Sequence, residues 1–150
     1  MKKGFTLIEL VIGVGILLMT ILGVISVYNH SILLSRLSEG RVLALESAQG
    51  KLEEMRMSSY TTLQLDYGSS PPPGKPGNTF VPEGLSGMGN VAFFDQSNPA
   101  IGVQVSVSWS EKGRLFGEDA NLNGVLDAGE DTNGNGRLDS PVQLVTYFTG

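Results

Sequence analysis

Residues 1–25 read MKKGFTLIELVIGVGILLMTILGVI, and this stretch decides what the rest of the chain can be. Lys2, Lys3 and Gly4 precede an apolar run of 21 residues, Phe5 to Ile25, that contains a single acid, Glu9. As a helix rising about 1.5 Å per residue, the run spans about 30 Å, the thickness of a bilayer's hydrocarbon core. The basic flank predicts a cytoplasmic N-terminus and places everything after Ile25 on the far side of the membrane. A secretory signal peptide is the ordinary alternative. Its apolar region is shorter, about 7 to 15 residues, and ends in a small-residue cleavage site; Val27, Tyr28, Asn29 and His30 offer none.

Glu9 is the anomaly. A carboxylate on a lipid-exposed helix costs about 2–4 kcal/mol unless it reaches interfacial water or finds a partner.

The segment KKGFTLIEL, Lys2 to Leu10, resembles the processing site of type IV prepilins and of the pseudopilins of type II secretion, where a basic leader ends in Gly immediately before Phe. The resemblance implies cleavage after Gly4 by a membrane aspartic protease, the prepilin peptidase and methylase, and N-methylation of the new amino terminus at Phe5. It also implies that Glu9 pairs with the N-terminal amine of a neighbouring subunit inside a filament. That partner would turn a buried charge into a register device. Many major pilins carry a helix-kinking Pro where this chain has Ser26, which directs the resemblance to minor pilins and pseudopilins. The partners so implied are other pilin or pseudopilin subunits and an inner-membrane assembly platform.

With 150 residues the chain holds at most one domain beyond the anchor, and without cysteine it lacks the disulfide staple usual in small extracytoplasmic domains. Its net charge of −5 is concentrated: residues 118–139 hold six acids and one base, while the remainder balances nine acids with nine bases. Apart from Lys2 and Lys3 there is no basic stripe, so nucleic acid is not an expected partner.

Beyond the apolar run, Leu34, Leu37, Leu45, Ala48, Leu52 and Met55 recur at mostly threes and fours. The spacing predicts one helix from about Phe5 to Met57, its first half buried in lipid or other subunits and its second half, with an apolar stripe from Leu45 to Met55, packed on its own domain. Gly40 and Gly50 weaken it locally. His30, the only histidine, has no second imidazole or thiol with which to share a metal and reads as an interfacial residue beside the aromatic anchor Tyr28. The segment 58–89 is too rich in proline and glycine for a continuous helix or central strand and reads as a surface loop. Strand patterns follow at Asn90–Phe94, Ile101–Trp109 and Val142–Phe148. In the second, Val103, Val105, Val107 and Trp109 alternate with Gln104, Ser106 and Ser108, which predicts one apolar face, and the last two strands are expected to pair antiparallel.

Between those strands, residues 117–141 read GEDANLNGVLDAGEDTNGNGRLDSP, and a shift of twelve gives seven identities in ten residues. Asp119, Asn121, Asn123, Gly124, Val125, Asp127 and Glu130 fall at positions 1, 3, 5, 6, 7, 9 and 12 of an EF-hand-type calcium loop. Oxygens from alternate residues wrap one hard cation there, glycine at 6 permits the turn, the carbonyl at 7 adds a ligand, and glutamate at 12 closes the shell. The second copy supplies Asp131, Asn133, Asn135, Gly136, Arg137 (through its carbonyl) and Asp139. It has Val142 at position 12 and needs water or a carboxylate borrowed from Glu118 or Glu130, so it ranks below the first. The competing reading is a hairpin tip rich in Asn-Gly turns whose acids serve solubility. Full ligand spacing, its repetition and the charge concentration oppose that, since an empty loop of this kind repels itself. Flanking EF-hand helices are not expected.

Nothing points to catalysis: there is no cysteine, one membrane-proximal histidine, no nucleophile elbow and no phosphate loop. The expectation is an α+β, pilin-like chain: leader 1–4, transmembrane and assembly helix 5–27, and an extracytoplasmic head 28–150. In that head, helix 28–57 packs on a small antiparallel sheet within 90–150 that carries the calcium loop 117–141. Such a chain would sit in a bacterial inner membrane and then in a periplasmic or cell-surface filament, as a minor pilin or pseudopilin. The alternative is a membrane-anchored calcium-binding protein that never polymerises.

Overall fold

The computed structural model describes residues 6–95 and 99–150, the side chains of 33–37 apart. The processing residues Gly4 and Phe5, with Lys2 and Lys3, lie outside the described residues, as do the side chains of Leu34 and Leu37. The chain divides into two compact units, Met1–Ser38 and Glu39–Gly150. Helix α1, Leu7–Arg56, contributes to both, close to the bounds its periodicity predicts.

In the first unit the apolar span Leu7–Ile32 is 26 residues long with mean hydropathy 2.7, and none of it is buried. It is long and apolar enough to cross a membrane. His30 Nδ1–H donates to the carbonyl of Ser26, 2.9 Å away, and Tyr28 is exposed.

The second unit is α+β. Strands β1 (Thr79–Phe80), β2 (Gly87–Asp95), β3 (Ala100–Glu111) and β4 (Arg114–Phe116) are neighbours in that order, and β5 (Gln143–Thr149) joins β3; every pairing is antiparallel. Strand β3 is the axis of the sheet. It pairs with β2 on one side, and on the other with β5 along Ala100–Ser106 and with β4 along Trp109–Glu111. The β3–β5 pairing is the one expected from the sequence. Strand β4 was not, although Lys112-Gly113 carries its signal: both residues have positive φ (51° and 76°), the two-residue turn that matches the twist of a hairpin.

Ala44, Ala48, Leu52 and Met55 of α1 pack with Val91, Val103, Val105, Val107 and Trp109 in one core. The expected stripe holds at Ala48, Leu52 and Met55 and differs only at its start. Leu45 is exposed, and Ala44 takes its place one residue earlier, with Gly40 a further turn back. A Cβ on Gly40 would stand 3.1 Å from Trp109 Nε1, so the glycine that weakens the helix is what admits the indole. Trp109 stacks on Phe116 with centroids 5.0 Å apart.

Two further expectations are corrected. Residues 58–89 are not simply a surface loop: they hold a 3-10 turn (Tyr60–Thr62), the one-turn helix α2 (Leu63–Asp66) and β1, and bury Leu63, Asp66 and Tyr67. The prolines that exclude a long helix do not exclude short anchored turns. Nor does β3 have a wet face. Gln104, Ser106 and Ser108 are as buried as the valines between them, because the acidic segment after β4 lies across that side of the sheet.

Candidate functional site

The segment from Gly117 to Pro141 is anchored by four polar contacts. Asn90 on β2 donates through Nδ2 to the carbonyl of Gly124 (2.7 Å), and Gln104 on β3 donates to the carbonyl of Leu138 (3.2 Å) and to Asp139 Oδ1 (2.9 Å). Ser140 donates to the carbonyl of Val107. Leu138 is buried beneath it. Each of these bonds satisfies a polar group that would otherwise be desolvated on the sheet face.

Within the segment the sequence repeat is also a conformational repeat. Positive φ recurs at Gly117 and Gly129, at Leu122 and Gly134, and at Gly124 and Gly136, each pair twelve residues apart. In the first copy Asp119 accepts from the backbone N–H of Asn123 (3.1 Å) and of Gly124 (2.7 Å), and Asp127 Oδ2 accepts from the side-chain amides of Asn121 (2.7 Å) and Asn123 (2.8 Å). In the second copy Asp131 accepts from Asn135 (3.0 Å) and Gly136 (2.8 Å), and Asp139 Oδ2 from the amides of Asn133 (2.5 Å) and Asn135 (2.8 Å). Those amides, Asn121 foremost, hold the Asp127 carboxyl below the usual carboxylate range by stabilising its ionised form.

The two glutamates close the copies reciprocally. Glu130 spans the first copy, accepting from Ala120 N–H (2.8 Å) and Asp127 N–H (3.0 Å). Glu118 spans the second at the equivalent positions, accepting from Thr132 N–H (3.2 Å) and Asp139 N–H (3.0 Å). Glu118 stands immediately before the first copy and Glu130 immediately before the second, so each copy is closed by the glutamate that precedes the other. Of the two glutamates that the sequence offers to the second copy, Glu118 is the one that reaches across it. Its signal was its own match to Glu130 under the twelve-residue shift.

The residues able to supply oxygen to a hard cation are thus brought together by copy: Asp119, Asn121, Asn123, Asp127, Glu130 and the carbonyl of Val125 in the first, and Asp131, Asn133, Asn135, Asp139, Glu118 and the carbonyl of Arg137 in the second. Their carboxylates are turned to backbone N–H groups and asparagine amides, and among the described residues no three Asp, Glu or His side chains gather into a metal cluster. The donor set, all oxygen with glycine at the sixth position, fits calcium chemistry rather than that of a thiolate or imidazole metal.

At the other end of the chain, Thr6 and Glu9 form a reciprocal cap. Glu9 N–H donates to Thr6 Oγ1 (3.4 Å), while Glu9 Oε2 accepts from Thr6 N–H (3.4 Å) and Thr6 Oγ1 (3.2 Å). This is a capping box at the start of α1, written in the sequence as Thr6-x-x-Glu9 and missed there. It gives Glu9 a partner within one chain, though not a charged one. No protein-family model matches this chain, no curated protein matches it, and no solved structure matches its fold.

Proposed function

We propose that this chain is a minor pilin or pseudopilin, a structural subunit of a type IV pilus or type II secretion pseudopilus whose head is stabilised by calcium. The observation that carries the proposal is one conjunction: a Gly4-Phe5 junction, a single acid at Glu9, and a wholly exposed apolar span from Leu7 to Ile32. An apolar surface of that length needs a cover, and lipid before assembly and neighbouring helices after it both supply one. In this reading Glu9 exchanges its hydrogen bonds to Thr6 for the amine of Phe5 on a neighbouring subunit, which sets axial register. The chain acts by assembly, without catalysis. Bound calcium would supply positive charge at the two acidic copies and so staple a head that has no disulfide, with Asp119, Asn121, Asn123, Val125, Asp127 and Glu130 as the principal holders.

The capping box favours a second reading. Because Thr6 satisfies part of Glu9 within one chain, a membrane-anchored calcium-binding protein that never polymerises is self-consistent. Mass spectrometry of the N-terminus of the protein isolated from its own membranes separates the two. Chain starting at N-methylated Phe5 is the expected result; intact Met1 to Gly4 on all of the protein overturns the proposal in favour of the anchored reading.

A further inference from the structure

Arg137 is the only base among six acids in residues 118–139, yet it joins none of the ion pairs formed among the described residues, which are Lys51–Glu54, Arg56–Glu53 and Lys75–Asp66. Its guanidinium instead lies over the ring of Phe94, with the central carbon 4.7 Å from the centroid, and its Nε is buried with no hydrogen-bond partner among the described residues. A buried guanidinium N–H without an acceptor is unfavourable, and the neighbouring carboxylates do not answer it because their oxygens are committed to loop N–H groups and asparagine amides.

A cavity of about 360 Å³ opens at this side chain, between the double loop and the segment before β2. Gln64, Ser69 and Asn78 line it with Arg137, and Val125 and Leu126 of the first copy contribute apolar surface. Among the described residues the side chains of Gln64, Ser69 and Asn78 make no hydrogen bond, so two amides and a hydroxyl stand ready beside an unanswered guanidinium. The size is at the lower end of ligand pockets, which run from about 300 to 1,000 Å³.

The geometry points to a binding site for a monosaccharide-sized sugar acid of the hexuronate type, with Arg137 holding the carboxylate. The guanidinium fork matches a carboxylate, the amides and the Ser69 hydroxyl match ring hydroxyls, and Val125 and Leu126 match the C–H face of a pyranose. A doubly charged phosphate suits the cleft less, because the surrounding acids repel two charges more than one. The site uses the Arg137 side chain, whereas the second acidic copy would use only that residue's carbonyl, and it stands apart from the filament reading.

The test is a titration of the full chain in detergent micelles with sodium galacturonate, followed by NMR and calorimetry, with galactose and acetate as comparators. Expected are saturable binding of galacturonate in roughly the millimolar range, little binding of galactose or acetate, and at least about a tenfold loss of affinity in Arg137→Gln. Unchanged Trp109 emission in the variant would show that the head is intact. If Arg137→Gln does not fold, Arg137→Lys keeps the charge and removes the fork, and is expected to weaken binding as well. Absence of saturation, equal binding of galactose or of acetate, or full affinity in a folded Arg137 variant would overturn the proposal.

Discussion

The two copies of the acidic repeat carry matching Asp, Asn and Gly residues at the same spacing and share most of their internal hydrogen bonds, yet one is built into the head and the other lies on its outside. Asp119 is 1% exposed, Glu130 8%, and Gly124 is buried, whereas their counterparts Asp131 and Glu118 are half-buried and Gly136 is exposed; the asparagines are exposed in both copies. The first copy presses Gly124 against β2, where its carbonyl is held by Asn90; the second is tethered at its end, through Leu138 and Asp139 to Gln104. Local chemistry therefore repeats with the sequence, while the energetic weight of each bond is set by whether water can replace it.

The largest effect follows from that difference. Asp119→Ala leaves the buried N–H of Gly124 without its acceptor, while Asn123 N–H keeps Asn121 Oδ1, and should destabilise the head by about 2 kcal/mol. Asp131→Ala frees N–H groups that reach solvent, and should cost about 1 kcal/mol or less. Urea midpoints of the two variants measure the gap. Equal losses would mean that burial does not distinguish the copies.

Chelation comes next in size. If calcium holds the segment, EDTA should lower the melting temperature of the head, since a ligand present at a hundred times its Kd contributes about 2.7 kcal/mol, and each kcal/mol is worth roughly 4–8 °C in a domain of this size. Glu130→Ala should remove more of that shift than Glu118→Ala, because the buried copy has the more preorganised shell. A melting curve indifferent to EDTA returns the acids to a role in solubility.

The comparison also shows what was legible in the sequence. The twelve-residue repeat and the antiparallel pairing of β3 with β5 were readable because each is a pattern of residue types at fixed intervals. The reciprocity of Glu118 and Glu130 was only half readable: sequence alignment pairs the two glutamates but cannot say across which loop either one reaches. Leu122 shows the limit from the other side. It occupies the positive-φ position that Gly134 fills in the second copy, a conformation that strains a leucine and that no propensity would assign to it. The buried polar row Gln104, Ser106 and Ser108 was misread because alternation reports which residues are polar, and a covering segment that supplies hydrogen bonds can bury them at little cost. The core stripe differs from expectation only at its start, for a related reason. Periodicity favours Leu45 over Ala44, but the bulk of Trp109 needs small residues on the helix opposite it.

The smallest expected effect supplies a yardstick outside both copies. Asp66 is buried at the end of α2, and its carboxylate is held by the ammonium of Lys75 at 3.1 Å and the hydroxyl of Thr62 at 2.9 Å. The hydrogen bond from Lys75, with a smaller one from Thr62, keeps this carboxyl below the usual range against the opposing pull of burial. A carboxyl that is more acidic folded than unfolded contributes stability above its unfolded value, about pH 3.9, and that contribution is lost as pH falls through the lowered folded value. Urea midpoints at about pH 7 and about pH 3 should therefore converge in Lys75→Met relative to the parent chain, because the variant has less to lose on acidification. The same variant should leave the EDTA shift untouched, since neither residue contacts the acidic copies. A Lys75→Met chain with the parent's full acid sensitivity would assign that sensitivity to the loop carboxylates instead, and the division between an ion-paired acid and amide-held acids would fail.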